Sequence, residues 1–299
     1  MSSPHSPSGE RRSMFMVVHP DRALADEAAH SVVAWCHRNG WGIFLTAADA
    51  DRLELPSLGT ADADLDTVVA GTDLAVSVGG DGTMLFASGL TAAHGVPILG
   101  VNTGRLGYLT EVEPDEIDHA LDEIAAGRYR VEDRMRVDLV LERADGTVEG
   151  PWSALNEGVV EKRSQGHTVH LAVDFHGNRF NTYSADALIV ATPTGSTAYS
   201  MSARGPIVEP THRAILFTPV SPHTLFDRSL VLDWTTEVRI TVEGDRDAIL
   251  SVDGWARARL EPGDCVAART SLLPTHLVSF GRRTFHQVLT SKFGLSKEF

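Results

Sequence analysis

The segment Gly79-Gly80-Asp81-Gly82-Thr83 sets three glycines around one carboxylate, directly after an apolar run at residues 74–78 and before Met84-Leu85-Phe86-Ala87. The apolar run reads as a buried strand and the residues after the glycines as the first turn of a helix. At such a junction glycines let successive backbone N–H groups converge on an anion with no Cβ in the way. The helix N-terminus adds a favourable dipole. Gly79, Gly80 and Thr83 therefore read as a phosphate loop. Asp81 conflicts with that reading, because a carboxylate repels phosphate. The conflict resolves if Asp81 accepts the proton of a hydroxyl beside the phosphate as a phosphoryl group is transferred. A plain strand–turn–helix in which Asp81 only caps the helix accounts for the same residues.

A second constellation lies further along the chain: Asn156-Glu157, then Asp186, then Thr192-Pro-Thr-Gly-Ser-Thr-Ala-Tyr-Ser-Met-Ser202. The small and hydroxyl-bearing residues around Tyr199 make poor core and poor strand. They read as a turn entering a helix, with donors and acceptors on display; a Ser/Thr-rich loop capping that helix is the alternative.

Strand-like and helix-like runs alternate over residues 14–130. Strands are expected at 14–18, 41–45, 74–78 and 96–101, and helices at 23–37, 83–94 and from Pro114 to Ala126, with a polar, Asp-rich stretch at 48–70. This alternation predicts a parallel α/β sheet, and the polar loops at 79–83 and 102–107 leave the C-terminal ends of strands, where such sheets bind ligands. After Arg130 the texture changes to short strands separated by turn signals, among them Asp253-Gly254. The expectation is an all-β domain of stacked sheets over residues 131–280, its last strand at 276–280. A helix at 284–292 is expected to return to the first domain, within a C-terminal segment at 281–299. Residues 1–13, Ser/Pro-rich and polar, read as a disordered tail.

The 299 residues suffice for two domains, and no apolar run approaches the ~20 residues of a membrane span. A formal net charge of −14 argues against nucleic acid or an anionic membrane as partner. Cys36 and Cys265 lie far apart and form no metal or redox motif, so a reducing cytoplasm is expected. The 13 histidines show no His-x-x-x-His helix face, so no dedicated protein metal site is expected.

Taken together, five elements in order resemble the NAD kinase family: Gly79 to Thr83; Asn102-Thr-Gly-Arg-Leu-Gly-Tyr-Leu109; Asn156-Glu157; Ala185-Asp-Ala-Leu-Ile-Val-Ala-Thr-Pro-Thr-Gly-Ser-Thr-Ala-Tyr199; and Thr218-Pro-Val-Ser-Pro-His-Thr-Leu225. The glycine loop alone is weak, since lipid kinases and phosphofructokinase-like enzymes carry similar ones; the segment 185–202 is specific. The resemblance implies a Rossmann-like α/β domain followed by a β-rich NAD-binding domain. It implies transfer of a phosphoryl group from ATP, or polyphosphate, to the 2′-hydroxyl of the adenosine ribose of NAD, giving NADP, with a divalent cation (Mg²⁺) entering with ATP. On the same basis Asp81 is the proton acceptor, with Gly82 beside it lining the substrate. Asn156 and Glu157 bind the adenosine portion, Asp186 is a further substrate carboxylate, and Thr197, Ala198, Tyr199 and Ser202 surround the adenine. His167 stands near the substrate, and the protein is a cytoplasmic homo-oligomer, dimer or tetramer. A diacylglycerol- or sphingosine-type lipid kinase and a non-catalytic NAD(P)-binding paralogue are the alternatives.

Four positions depart from the family pattern: Phe86 where Arg is frequent, Gly158 where a β-branched residue is usual, Arg204 where Gly is usual, and Trp255 where Gln or Arg is frequent. Arg204 has two accounts. Either its φ is positive and the backbone strained, or the backbone is relaxed and the guanidinium reaches toward a phosphate. The second is the expectation, because an arginine beside an anion site has an evident use.

Overall fold

The structure, a computed structural model, describes residues 12–164 and 166–295. The tail expected over residues 1–13 lies outside them apart from Arg12 and Ser13, and Ser13 already opens the first strand. In chain order the first elements are β1 (Ser13–Val18), α1 (Ala23–Asn39), β2 (Gly42–Thr46), α2 (Ala47–Arg52), β3 (Gly59–Thr60), α3 (Leu65–Ala70), β4 (Leu74–Gly79), α4 (Asp81–Thr91), β5 (Ile98–Asn102), α5 (Ile117–Ala125) and β6 (Arg130–Arg134). Next come β7 (Val137–Glu142), β8 (Val148–Ala154), β9 (Glu157–Lys162), β10 (Val169–Phe175), β11 (Asn178–Ala185), β12 (Ala187–Ala191) and the single turn α6 (Tyr199–Ser202). The chain continues through β13 (Ala214–Val220), β14 (Leu230–Asp233), β15 (Val238–Glu243), β16 (Ala248–Val252), β17 (Trp255–Leu260) and β18 (Cys265–Thr270), then β19 (Thr275–Ser279) and α7 (Phe285–Phe293).

Two compact units result, one from Met1–Glu132 with His276–Phe299, the other from Asp133–Thr275. The first is built on a seven-stranded sheet in the order β3-β2-β1-β4-β5-β19-β6. The pairs from β3 through β19 are parallel, so the loops after β1, β4 and β5 leave the same edge. β4 is buried along its whole length, as its unbroken apolar run requires of a central parallel strand. Helix α1 buries Ala25, Ala28, Ala29, Val32, Val33 and Cys36, the stripe that its helical spacing presents, and ends where Gly40 turns left-handed at φ 72°. Its stripe joins Met14, Met16, Val76, Val78 and Val101 in one core.

The strand expected at 276–280 within the β domain belongs instead to this parallel sheet: in β19, Leu277 pairs in parallel with Ile98 of β5. Its apolar residues suit either sheet, and only the pairing partner decides. The Asp-rich stretch at 48–70 is not featureless either, since it contains α2, β3 and α3.

The second unit consists of two six-stranded antiparallel sheets, β11-β10-β15-β18-β7-β8 and β14-β13-β12-β9-β16-β17. Alternating strands turn one face inward, as in β7, where Val137, Leu139 and Leu141 are buried and the residues between them are not. Their apolar residues merge with Val160, Leu188, Val190, Phe217 and Leu250 of the other sheet in one core between the layers.

Candidate active site

In the first unit β4 runs straight into α4 through one residue, Gly80, whose backbone is extended (φ −121°, ψ −165°). Asp81 is consequently the first residue of the helix and not the middle of a loop. Its carboxylate accepts the backbone N–H of Tyr108, 3.0 Å from each oxygen, and that of Leu109 at 3.0 Å from Oδ1. These donors come from the Asn102–Leu109 segment after β5, so two loops from adjacent strand ends fix one carboxylate. A Cβ on Gly107 would run into that carboxylate, and a Cβ on Gly79 into the Thr83 side chain. Gly82 is exposed, with open space where its side chain would be.

Two cations that sequence reasoning missed stand at this edge. The Lys292 ammonium of α7 lies 3.7 Å from the centroid of the Tyr108 ring, a cation–π contact, and feels the charge of Asp81. Desolvation holds the Lys292 ammonium below its ordinary range. The Arg22 guanidinium, from the residue preceding α1, fills the space that a side chain on Gly104 would need. Neither residue stands in a motif of its own, and each is far in sequence from Asp81.

In the second unit Asn156 and Glu157 enter β9 under the control of Asp253, at the β16–β17 turn. Asp253 accepts the backbone N–H groups of Leu155 (2.8 Å), Asn156 (2.8 Å) and Glu157 (3.1 Å) and donates its own N–H to the Glu157 carbonyl at 3.0 Å. To do so it adopts φ 48°. The sequence marks Asp253-Gly254 as a turn but not as a clamp. Arg136, only 2% exposed, bonds Ser153 and Thr275 and opposes the charge of Asp253. Burial nevertheless raises the Asp253 carboxyl. Glu157, 7% exposed, is pushed up to about 8 by burial and then by the neighbouring Asp253 charge, against a hydrogen bond from the Tyr199 backbone. Its Oε2 has no hydrogen-bond partner among the described residues.

The hydroxyl-rich segment is laced to the same corner. Thr192 Oγ1 donates to the Leu155 carbonyl at 2.5 Å, the Thr192 N–H bonds the Asn156 carbonyl at 2.9 Å, and a Cβ on Gly195 would strike the Asn156 backbone. Thr197 and Ala198 are half-buried on the turn leading into α6, which carries Ser202 and Tyr199; Tyr199 is 40% exposed. Burial, then the charges of Glu161, Asp186 and Glu157, raise the Tyr199 phenol. Asp186 pairs with Lys162 at 2.5 Å. Asn156, Glu157, Tyr199 and Asp186 are thus gathered in one region. His167 is exposed and makes no hydrogen bond among the described residues; it lines a cavity of about 210 Å³ with Lys162, Arg163 and Arg246.

The departures find local explanations in two cases. Gly158 stands where Leu139 of the facing sheet occupies the space a side chain would take. Arg204 has φ 64° and an exposed side chain with no partner among the described residues, so the relaxed backbone expected for it is overturned and the strained account holds. Nothing in the structure explains Phe86 or Trp255.

The first unit thus sets a carboxylate in a glycine loop at the strand-end edge of a parallel sheet, and the second gathers acidic and hydroxyl-bearing residues around Tyr199. The chain matches the ATP-NAD kinase N-terminal domain over residues 14–129 and the ATP-NAD kinase C-terminal domain over residues 155–280. It is 40% identical over 280 residues to an NAD kinase of Heliobacterium modesticaldum, covering 93% of this chain and 96% of that one. It is 35% identical over 286 residues to NAD kinase 2 of Streptomyces avermitilis, covering 95% of each. The crystal structure of yeast NADH kinase complexed with NADH superposes with a TM-score of 0.89 at 25% identity, covering 98% of this chain and 90% of that one. An NAD kinase from Archaeoglobus fulgidus in complex with ATP shares the fold with a TM-score of 0.71 at 24% identity, over 94% of this chain and 99% of that one. The chain belongs to the NAD kinase family and is a phosphotransferase; the lipid-kinase reading falls with that assignment.

Proposed function

We propose that the protein transfers the γ-phosphoryl group of ATP to the 2′-hydroxyl of the adenosine ribose of NAD, producing NADP. The observation that carries this reading is the Asp81 carboxylate, oriented by two backbone N–H groups at the start of α4 within a glycine loop. The 2′-oxygen bonds to the γ-phosphorus and the bond from that phosphorus to the bridging oxygen breaks. ADP leaves with the electron pair, and the hydroxyl proton passes to Asp81. Oδ2 is the oxygen for this proton, since Leu109 bonds only Oδ1 and Tyr108 is shared between the two. Glycine-loop N–H groups and the α4 dipole stabilise charge on the transferred group.

Asn156 and Glu157 bind the adenosine portion. With its carboxyl at about 8, Glu157 is neutral at pH 7 and can donate a hydrogen bond as well as accept one. Asp186 accepts from a sugar hydroxyl, Tyr199 provides a wall for the base, and Thr197, Ala198 and Ser202 complete that surround. His167, which lines a cavity with Lys162, stands near the substrate in this reading. Among the described residues no group of three or more His, Cys, Asp or Glu could hold a metal ion. A divalent cation would therefore be held by the donor phosphates and one or two carboxylates, and would neutralise charge on the γ-phosphoryl group. Polyphosphate is the alternative donor within this chemistry. No helix among the described residues is long and apolar enough to cross a membrane. The reading includes a cytoplasmic setting and a homo-oligomer, dimer or tetramer, for which the almost wholly exposed Leu225 and Leu272 offer apolar surface to cover.

Incubating the protein with ATP, Mg²⁺ and NAD and measuring NADP in a coupled assay tests the reaction; absence of NADP would overturn it. Asp81→Asn is expected to lower turnover by about 10²–10⁴-fold while NAD binding and fold persist, the usual cost of losing a general base. Turnover within a few-fold of the parent at saturating substrate would remove Asp81 from that role.

A further inference from the structure

We propose that Arg22 grips the donor's phosphates, supplying positive charge beside the glycine loop. This rests on the phosphoryl-transfer reading and assigns the donor side of that site a residue.

Placement comes first. Arg22 follows β1, and because β1, β4 and β5 are parallel neighbours, its loop opens on the same edge as Gly79–Thr83 and Asn102–Leu109. The guanidinium reaches across that edge. Its Nη1 is 3.6 Å from where a Cβ on Gly80 would stand, and it occupies the space where a Cβ on Gly104 would be. The two glycines thus keep one arginine between the phosphate loop and the loop after β5.

The second observation is what Arg22 lacks. The chain carries 40 acidic side chains against 26 lysines and arginines, and several guanidiniums are paired with carboxylates, as Arg38 is with Asp118, Arg143 with Glu149 and Asp264, and Arg239 with Glu142. Half-buried Arg22 forms no ion pair and no side-chain hydrogen bond among the described residues. Next to Gly104 in sequence, the hydroxyl of Thr103 is buried and likewise without a partner among them. A guanidinium offers five donors in a planar fork that matches phosphate oxygens, and glycine leaves the approach open. Unpaired beside two glycines in an acidic protein, Arg22 fits a polyanion that arrives with the substrate.

Two phosphate-bearing molecules enter the reaction, and the structure favours the donor: Arg22 lies against the loop that carries Gly80, which cradles the transferred group. The test is calorimetric titration of the full-length protein with a non-hydrolysable ATP analogue plus Mg²⁺, and separately with NAD. Arg22→Gln is expected to weaken analogue binding about 10- to 100-fold, more at low salt, with NAD affinity and melting temperature unchanged; Arg22→Lys should fall between. Gly104→Ala displaces the guanidinium without removing it, so it should weaken the analogue in the same direction, and the double variant should be no worse than Arg22→Gln alone. Unchanged analogue affinity in Arg22→Gln overturns the proposal, as does a loss confined to NAD, or a Gly104→Ala effect that persists undiminished in the Arg22→Gln background. If the parent protein forms no NADP yet binds the analogue through Arg22, the phosphoryl-acceptor reading fails and this assignment stands. If NADP forms and Arg22→Gln binds the analogue normally, only this assignment fails.

Discussion

Asp81 and Glu157 are both carboxylates, and their surroundings set them different tasks. Asp81 is fixed by two backbone N–H groups that donate to its oxygens, which suits a group that must accept. Glu157 is buried beside a second carboxylate, and its pKa rises from an ordinary 4.5 to about 8. The folded protein therefore keeps a proton on Glu157 that the unfolded chain releases at acidic pH. The stability this proton confers is fully present below about 4.5 and is lost as pH rises through about 8. Each tenfold change in proton affinity between the folded and unfolded chain is worth about 1.4 kcal/mol, so the loss by pH 8 is on the order of a few kcal/mol. Glu157→Gln should remove it. Melting temperatures of parent and variant should diverge in the variant's favour from pH 5 to pH 8 and run parallel above; parallel curves throughout would contradict the buried neutral acid. At this scale the sequence exposes Asp81 and the Asn156-Glu157 pair because local residue types mark them. Arg22, Arg136, Asp253 and Lys292 stay hidden because each acts on residues remote in sequence, through contacts that no local pattern encodes.

Legibility of the elements follows burial. β4 carries the apolar run expected of it at 74–78, and β12 is buried along its whole length by an equally unbroken apolar run. β8, β11 and β17 lie at sheet edges and bury only one, two and one of their residues, so they carry no apolar run and no clean alternation for the sequence to show. Gly158 looks anomalous within β9 alone and is accounted for only by Leu139 in the opposite sheet. The turn after α6 holds the clearest misfit. There Ala203, Arg204 and Gly205 donate their N–H groups to Tyr199, Met201 and Ser200, closing the helical turn through a left-handed residue. Glycine adopts φ 64° freely, whereas arginine carries steric strain of about 1 kcal/mol. Arg204→Gly is expected to raise unfolding free energy by about 1 kcal/mol in urea titration, with Michaelis constants for NAD and ATP unaltered. A destabilised variant would show that the strain is offset by contacts of the arginine side chain.

Across the whole molecule, chain order conceals one feature and charge exposes another. The sheet of the first unit is completed by β19 and accompanied by α7, after the chain has built the whole second unit. A reading by sequence neighbourhood assigns β19 to the wrong sheet for that reason. The net charge of −14, by contrast, is plain from composition and bears directly on chemistry. Every substrate of the proposed reaction is an anion approaching a like-charged protein, and Arg22 and Lys292 oppose that repulsion only locally. A cation carried on the donor lowers the charge that must be brought beside Asp81, and among the described residues no cluster of three or more ligands exists to hold one independently. The requirement should therefore belong to the donor and not to the fold. Chelation with EDTA is expected to abolish NADP formation while leaving the melting temperature and NAD affinity unchanged, and excess Mg²⁺ should restore turnover. Turnover that persists after thorough chelation would contradict this. A loss of NAD affinity or of stability on chelation would instead place the cation within the protein.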